Sequence, residues 1–409
     1  MTQTTPPRTV CSADIVIFGG GIAGLWLLNQ LTAQGYSVVL LEASALGNGQ
    51  SVASQGIIHG GLKYALSGSL SGASNAIATM PDRWRACLAG DDPVNLTACR
   101  QLSDHYYMWS EGSYRSKLKA FLGSRTLRGK VDIVTDSDFP QQLAPARGQG
   151  SLYRLPDFVI DTGSLLQALA TGHENRIFRI DPTQVEFVAD QQQRQLLLRS
   201  DDSILSVSAQ RYIFAAGEGN ARLLDAASLS SPMMQRRPLN MVILRKASLP
   251  EIFVHCIGDS FSLTPRLTLT SHSCDNGHVA WYLGGEIAES GVERTDNEQI
   301  DAARQMLEKL FPWVDLSGAE WACLRINRAE GKAQGQHRPD SAFLATRNNI
   351  LVTWPTKFTL SPALADEVSS ELKQQGIEPK LKYSSDLLAS TLDGATIAPP
   401  PWETCFERP

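Results

Sequence analysis

The chain has little charge. Asp, Glu, Lys and Arg together make up 19% of its 409 residues, against roughly 25% in an average soluble domain. The signs nearly cancel, 37 basic against 42 acidic, for a formal net charge of -5. That balance offers no general attraction to nucleic acid or to an anionic membrane. With 43% hydrophobic residues, an intrinsically disordered chain is excluded too. Cysteine is sparse: Cys11, Cys87, Cys99, Cys256, Cys274, Cys323 and Cys405 are odd in number, widely spaced and never form C-x-x-C. This argues against a disulfide framework or a zinc ribbon, fits reduced thiols in a cytoplasmic protein, and leaves no set of residues to read as metal ligands. No charged segment leads into an apolar one at the N-terminus, so no signal peptide is expected. No apolar run approaches the ~18 residues of a membrane span. A soluble protein is expected, with peripheral membrane contact left open. At roughly 150 residues per domain, the length suggests two to three domains.

What is present begins at residue 14. Residues 14–18, DIVIF, read as a strand buried on both faces. Gly19, Gly21 and Gly24 follow as G-x-G-x-x-G, then Ile22, Leu25, Leu28 and Leu31 mark one face of a helix. Gly35 is placed to end that helix in a left-handed conformation. Residues 37–41, SVVLL, form a second buried strand with Glu42 at its tip. This order of strand, glycine turn, helix, strand and acid is that of a dinucleotide site. The first glycine allows the tight turn, the second lets the backbone approach a pyrophosphate, and the third lets the helix lie close to the sheet. The helix start at Ile22 and Ala23 would hold the phosphates, and Glu42 and Ala43 the ribose. The pattern does not separate FAD from NAD, but a carboxylate at Glu42 argues against the 2′-phosphate of NADP.

Residues 47–64 read GNGQSVASQGIIHGGLKY. Small and hydroxyl residues fill the first half, among them Ser51, Ser54 and Gly56. An NAD domain gives no reason for such a loop directly after its second strand. An extended FAD does, because it must pass from ribose to isoalloxazine through a closely lined channel. Residues 54–64 resemble the S-x-x-I-H-G-G-L-R-Y stretch of glycerol-3-phosphate dehydrogenases and the S-G-V-I-H-x-G stretch of L-2-hydroxyglutarate oxidases. Both belong to the D-amino-acid oxidase superfamily of FAD enzymes. The resemblance implies FAD as cofactor, with Ser51, Ser54, Gln55 and Gly56 beside it. It implies that His59, Lys63 and Tyr64 face the substrate. His59 would then act as a base for a substrate hydroxyl or orient the flavin; covalent attachment through His59 is the weaker alternative. Lys63 stands where the family has Arg, so bidentate recognition of an anion is lost there.

Three later stretches extend the resemblance. Residues 211–217, RYIFAAG, resemble the I-x-A-x-G strand that returns to the FAD-binding sheet, which brings in Ala216 and Gly217. Val185 in the preceding strands is expected to meet adenine. Residues 321–328, WACLRINR, resemble the family's G-x-R-P strand, whose Arg holds a substrate carboxylate or phosphate; Arg325 is the match and Arg328 the reserve. Residues 350–366, ILVTWPTKFTLSPALAD, resemble I-x-G-G-K-W-T-T-Y-R-x-M-A-x-D, with Pro355 and Thr356 in place of two glycines. Thr356, Lys357, Phe358 and Thr359 would then border the flavin. Ser361 as N-cap, Pro362 at N1 and Gly376 past the end predict a helix there. Tyr106, Tyr107, Trp109 and Tyr114 form an aromatic cluster that reads more readily as core than as pocket wall.

The expected fold is α/β: a Rossmann-type FAD-binding domain, glutathione-reductase-like and of the D-amino-acid oxidase type, with a discontinuous substrate domain carrying a mixed or antiparallel sheet. Residues 12–94, 151–231 and 321–409 are assigned to the first, 95–150 and 232–320 to the second. The resemblance implies an FAD-dependent oxidase or dehydrogenase of a small polar, anionic substrate, oxidising CH–OH or CH–NH by hydride transfer. The electron acceptor is left open between oxygen, quinone and protein. The alternatives are an FAD monooxygenase of related fold, whose Gly-Asp motif is matched only by a misplaced Gly258-Asp259, and a non-catalytic dinucleotide-binding protein.

Overall fold

A computed structural model describes residues 8–61, 77–111, 131–190, 193–199, 203–257, 265–332 and 341–406. Five strands run parallel in the first sheet, in the order Ile177–Arg179, Val38–Glu42, Arg8–Phe18, Ile204–Phe214, Ile350–Trp354. Antiparallel strands flank them: Val185–Asp190 and Gln193–Arg199 at one end of Ile204–Phe214, and Phe343–Arg347 beside Ile350–Trp354. The segments Ile15–Phe18, Val38–Leu41, Tyr212–Phe214 and Ile350–Val352 are continuous buried apolar runs, as parallel strands covered by helices require.

The first of these helices, Ile22–Ala33, is buried over most of its surface. It lies between the sheet and the helices Thr162–Ala170 and Ser361–Gln374. Its end is the one the sequence predicts. Gly35 at φ +92° donates to Thr32 O, and Tyr36 donates to Leu31 O, the paired bonds of a Schellman motif. Gly376 ends Ser361–Gln374 the same way, with bonds to Lys373 O and from Ile377 to Leu372 O. The start of that helix differs from the expectation. Ser361 is its first residue, and its Oγ donates to Phe358 O. A 3-10 turn, Phe358–Leu360, runs straight into the helix, so the N-cap position falls on Leu360.

Among the described residues the second sheet has eight strands. Their order is Glu320–Gly331, Met234–Lys246, Val279–Gly284, Leu267–Ser273, Val254–Ile257, Tyr106–Glu111, Gly150–Leu155 and Asp132–Ile133. All neighbours are antiparallel except Val254–Ile257 and Tyr106–Glu111. Residues 151–155 and 321–331, assigned from sequence to the nucleotide-binding set, hydrogen-bond in this second sheet. Tyr106 and Trp109 are buried core residues, and Tyr106 Oη donates to Leu269 O at 2.6 Å; Tyr114 lies outside the described residues. The helix Asp296–Leu310 covers this sheet with Ala303, Leu307 and Leu310. It opens with a capping box in which Thr295 and Glu298 satisfy each other's backbone N–H.

A small third sheet matters more than its size suggests. Ile57–Ile58 and Gln101–Ser103 pair on either side of Phe158–Ile160. It sets the end of the segment that leaves the glycine-rich passage.

Candidate functional site

A cavity of about 1100 Å³ is lined from both large sheets. At one end lies the glycine turn. Gly19 has φ +104°, and a Cβ there would sit 2.5 Å from Ala216 Cα; only glycine lets the tips of the strands Arg8–Phe18 and Ile204–Phe214 touch. A Cβ on Gly24 would meet Gly19 O at 1.8 Å, so the helix rests directly on the turn. Glu42 completes this end. Its Oε2 accepts from Gly20 N, and its Oε1 accepts from Ser44 N at 2.8 Å. Ser51 Oγ accepts from Ile22 N at 2.9 Å and so ties the passage to the helix start.

The passage is stitched to the second sheet. Gln55 Nε2 donates to Tyr282 O at 2.9 Å and Thr268 O at 3.2 Å, and Tyr282 Oη donates to Ala53 O at 2.8 Å. On the opposite wall, Asn220 donates to Thr353 O and accepts from Ala216 N, while Trp354 Nε1 donates to Gly217 O. Thr356 takes φ +60° and its Oγ1 donates to Ser341 O at 2.9 Å. This local left-handed turn serves where the family's motif has glycines. Thr359 Oγ1 is buried at the cavity wall with no hydrogen-bond partner among the described residues.

Of the sequence-predicted nucleotide residues, Gly19, Gly21, Ile22, Ala23, Glu42, Ala43, Ser51, Ser54, Gln55, Val185, Ala216, Gly217, Thr356, Lys357, Phe358 and Thr359 all line this one cavity. Gly24 and Gly56 stand behind its wall. Gly24 packs on Gly19, and a Cβ on Gly56 would strike Ile160 O at 2.1 Å.

His59 lines the same cavity. Ile57 pairs with Val159 and Ile58 with Phe158, so the register continued by one residue sets His59 opposite Asp157. His59 Nδ1 lies 3.2 Å from Asp157 Oδ2, with the His side chain 42% exposed and the Asp 4%. Asp157 Oδ1 accepts from Gly60 N at 2.9 Å. His255, on the second sheet, stacks on His59 with ring centres 5.9 Å apart and planes 13° apart. Its Nδ1 lies 3.1 Å from Thr268 Oγ1, and Tyr106 packs on it at 4.4 Å. Burial pushes the adjacent Cys256 thiol up to about 12, which keeps it protonated and chemically quiet. Asp157 and His255 went unnoticed in the sequence because neither belongs to a local motif. His59, Asp157 and His255 each bring one ligand-type atom within 4.8 Å of the others; the sequence reading had assigned no metal ligands.

Arg325 also borders the cavity, but its guanidinium donates to Val292 O at 2.9 Å, Arg294 O at 2.6 Å and Asp296 Oδ1 at 3.1 Å. Arg328 pairs with Glu289 at 3.2 Å. Lys63, Tyr64, Gly258 and Asp259 lie outside the described residues.

A sequence model of the FAD dependent oxidoreductase family matches residues 14–370. The chain belongs to that family. This flavoenzyme is 44% identical over 399 residues to the probable FAD-dependent oxidoreductase PA4991 of Pseudomonas aeruginosa, covering 97% of this chain and 98% of that protein. The crystal structure of PA4991 matches with a TM-score of 0.81 at 39% identity, over 96% of this chain and 98% of that one. Glycine oxidase from Geobacillus kaustophilus matches with a TM-score of 0.63 at 15% identity, over 92% and 97% of the two chains. L-α-Glycerophosphate oxidase from Mycoplasma pneumoniae with FAD bound gives 0.62 at 12% identity, over 95% and 99%. The last two share the fold. The flavoenzyme is thus an FAD-dependent oxidoreductase with a Rossmann-type FAD-binding region and a second, mixed sheet. No helix among the described residues is long and apolar enough to cross a membrane.

The residues present fit FAD. Gly19 and Gly21 bring bare backbone to the cavity at the helix start beside Ser51, Glu42 offers a carboxylate, and the buried Thr359 hydroxyl, without a partner among the described residues, calls for a ligand.

Proposed function

We propose that the flavoenzyme oxidises a CH–OH or CH–NH bond of a small polar substrate bound between the two sheets. In this reading, Gly19, Gly21, Ile22, Ala23 and Ser51 cradle the pyrophosphate, Glu42 and Ala43 take the ribose, and Val185 meets adenine. Ser54, Gln55, Ala216, Gly217 and the segment from Thr356 to Thr359 border the flavin. Gly24 and Gly56 act from behind, through close packing. When bound, FAD supplies a two-electron acceptor. The chain's own residues bind the substrate against the second sheet, exclude water, and take its proton.

The single observation that carries this reading is a hydrogen-bonded imidazole, His59, in the same cavity as Glu42. His59 has the chemistry and access of a general base. Anion recognition is less well supported, since the Arg325 guanidinium is already engaged by two carbonyls and a carboxylate. We therefore assign the substrate as polar; the other basic side chains that line the cavity are Arg222, Lys357 and the Glu289-paired Arg328. We keep the division into an FAD-binding set and a substrate set, with strands 151–155 and 321–331 moved to the substrate set.

The test is anaerobic mixing of the flavin-loaded protein with hydroxy acids, polyols, polyol phosphates and amino acids. Loss of the oxidised flavin bands with one member is the expected result. Purified holoprotein without flavin absorbance, or bleaching only by NAD(P)H, would overturn the reading; the second result belongs to a monooxygenase. Reoxidation by oxygen, a quinone or a protein acceptor is then read from the same cuvette.

A further inference from the structure

The cluster around His59 permits a choice between the two bond types left open above, and the choice rests on that oxidation reading. An alkylammonium loses its proton near the ordinary Lys value of about 10.4, so free amine forms in solvent without a protein base. An alcohol is a far weaker acid. Its hydroxyl proton leaves only as the hydride departs, and a base must be in place at that moment.

The structure holds such a base. Asp157 is buried, and among the described residues each of its oxygens has one hydrogen-bond partner: Oδ1 the Gly60 N–H, Oδ2 the His59 ring. A carboxylate only accepts hydrogen bonds, so His59 donates from Nδ1, and Nε2 carries the lone pair. Stacking on His255, itself held by Thr268 and Tyr106, limits rotation of the ring.

We propose that the substrate is an alcohol, and that Asp157 is the positioning residue that holds His59 with Nε2 ready to take the hydroxyl proton. The balance is complete. The C–H bond breaks with its electron pair leaving as hydride to the FAD oxidant. The O–H bond breaks with its proton going to His59 Nε2. The C=O bond of an aldehyde, ketone or keto acid forms. The imidazolium so made is stabilised by the Asp157 carboxylate beside it.

Asp157→Asn separates positioning from packing. The amide has one carbonyl oxygen for two donors. If the Gly60 N–H keeps it, the amide NH2 faces His59 Nδ1, which must then accept, and the ring proton moves to Nε2. Two- and three-bond 1H–15N spectra of 15N-histidine protein, free of FAD, report this tautomer directly. Expected are an Nδ1–H tautomer for His59 in the wild type, an Nε2–H tautomer in D157N, and recovery of Nδ1–H in D157E. In the loaded enzyme, kcat for the alcohol falls by about 10²- to 10⁴-fold in D157N, with KM changed less than roughly threefold and partial rescue in D157E. An unchanged tautomer in D157N, or a kcat within a few-fold of wild type, overturns the positioning role. Flavin reduction by amines and by no alcohol overturns the substrate class. Reduction by neither overturns the oxidation reading instead, while the tautomer spectra still decide the role of Asp157.

Discussion

Acid should weaken the second sheet through one histidine. His272 lies in the strand Leu267–Ser273, only 2% exposed, with its ring stacked on Trp402 at 3.8 Å. Nε2 meets Thr270 Oγ1 at 3.0 Å, and Nδ1 has no hydrogen-bond partner among the described residues. A second ring proton would therefore sit in a dry site without an acceptor. Burial pushes the group down from 6.5 to about 3. Between those values the unfolded chain holds a proton that the folded chain does not, so stability rises with pH across that window and is lost as pH falls from 6.5 towards 3. Each pH unit is worth about 1.36 kcal/mol, so the loss from this group at pH 4.5 is about 2.7 kcal/mol. His272→Gln removes the titration. Urea unfolding, followed by tryptophan fluorescence at fixed excess FAD, should give a wild-type advantage over H272Q that shrinks by about 2.7 kcal/mol between pH 7 and 4.5. Carboxylate protonation common to both proteins cancels in the difference. An advantage constant within about 0.5 kcal/mol across that range would refute the reasoning. The consequence reaches the cavity. Trp402 sits in the short helix Pro401–Thr404, and Pro401 and Thr404 line the cavity wall.

Two substitutions at the other end test the nucleotide assignment. Glu42→Ala removes the carboxylate that meets Gly20 and Ser44; FAD affinity by fluorescence titration should fall at least tenfold, from about 1.5–3 kcal/mol of charged hydrogen bonding. An unchanged dissociation constant would remove the ribose role. Gly19→Ala forces a Cβ to within 2.5 Å of Ala216 Cα at φ +104°; strain and overlap together should cost about 3 kcal/mol or more, read as a lowered Tm and lost flavin, and a wild-type Tm would contradict the geometry.

Much of the nucleotide end was legible because its parts are contiguous in the chain. Gly19, Gly21 and Gly24 between two apolar runs, with Glu42 at the end of the second, need only local geometry to be read. The helix ends at Gly35 and Gly376 were legible for the same reason: a left-handed residue is a local requirement that glycine meets. Ser361 was misread because a 3-10 turn before it, not its own propensity, decides where the helix starts. The strand Glu320–Gly331 was placed by local likeness, while its actual partner, Met234–Lys246, lies some 80 residues earlier in the chain.

By itself the sequence determined the family, the cofactor and the glycine turn, since these rest on short-range patterns that one helix and two strands express. Only the tertiary structure decided what surrounds His59. Asp157 reaches it through the register of Ile57–Ile58 on Phe158–Ile160. His255 comes from a strand of the other sheet. Arg325 is drawn instead to Val292, Arg294 and Asp296. Those neighbours are set by pairing between distant strands, a long-range choice that no local spacing records.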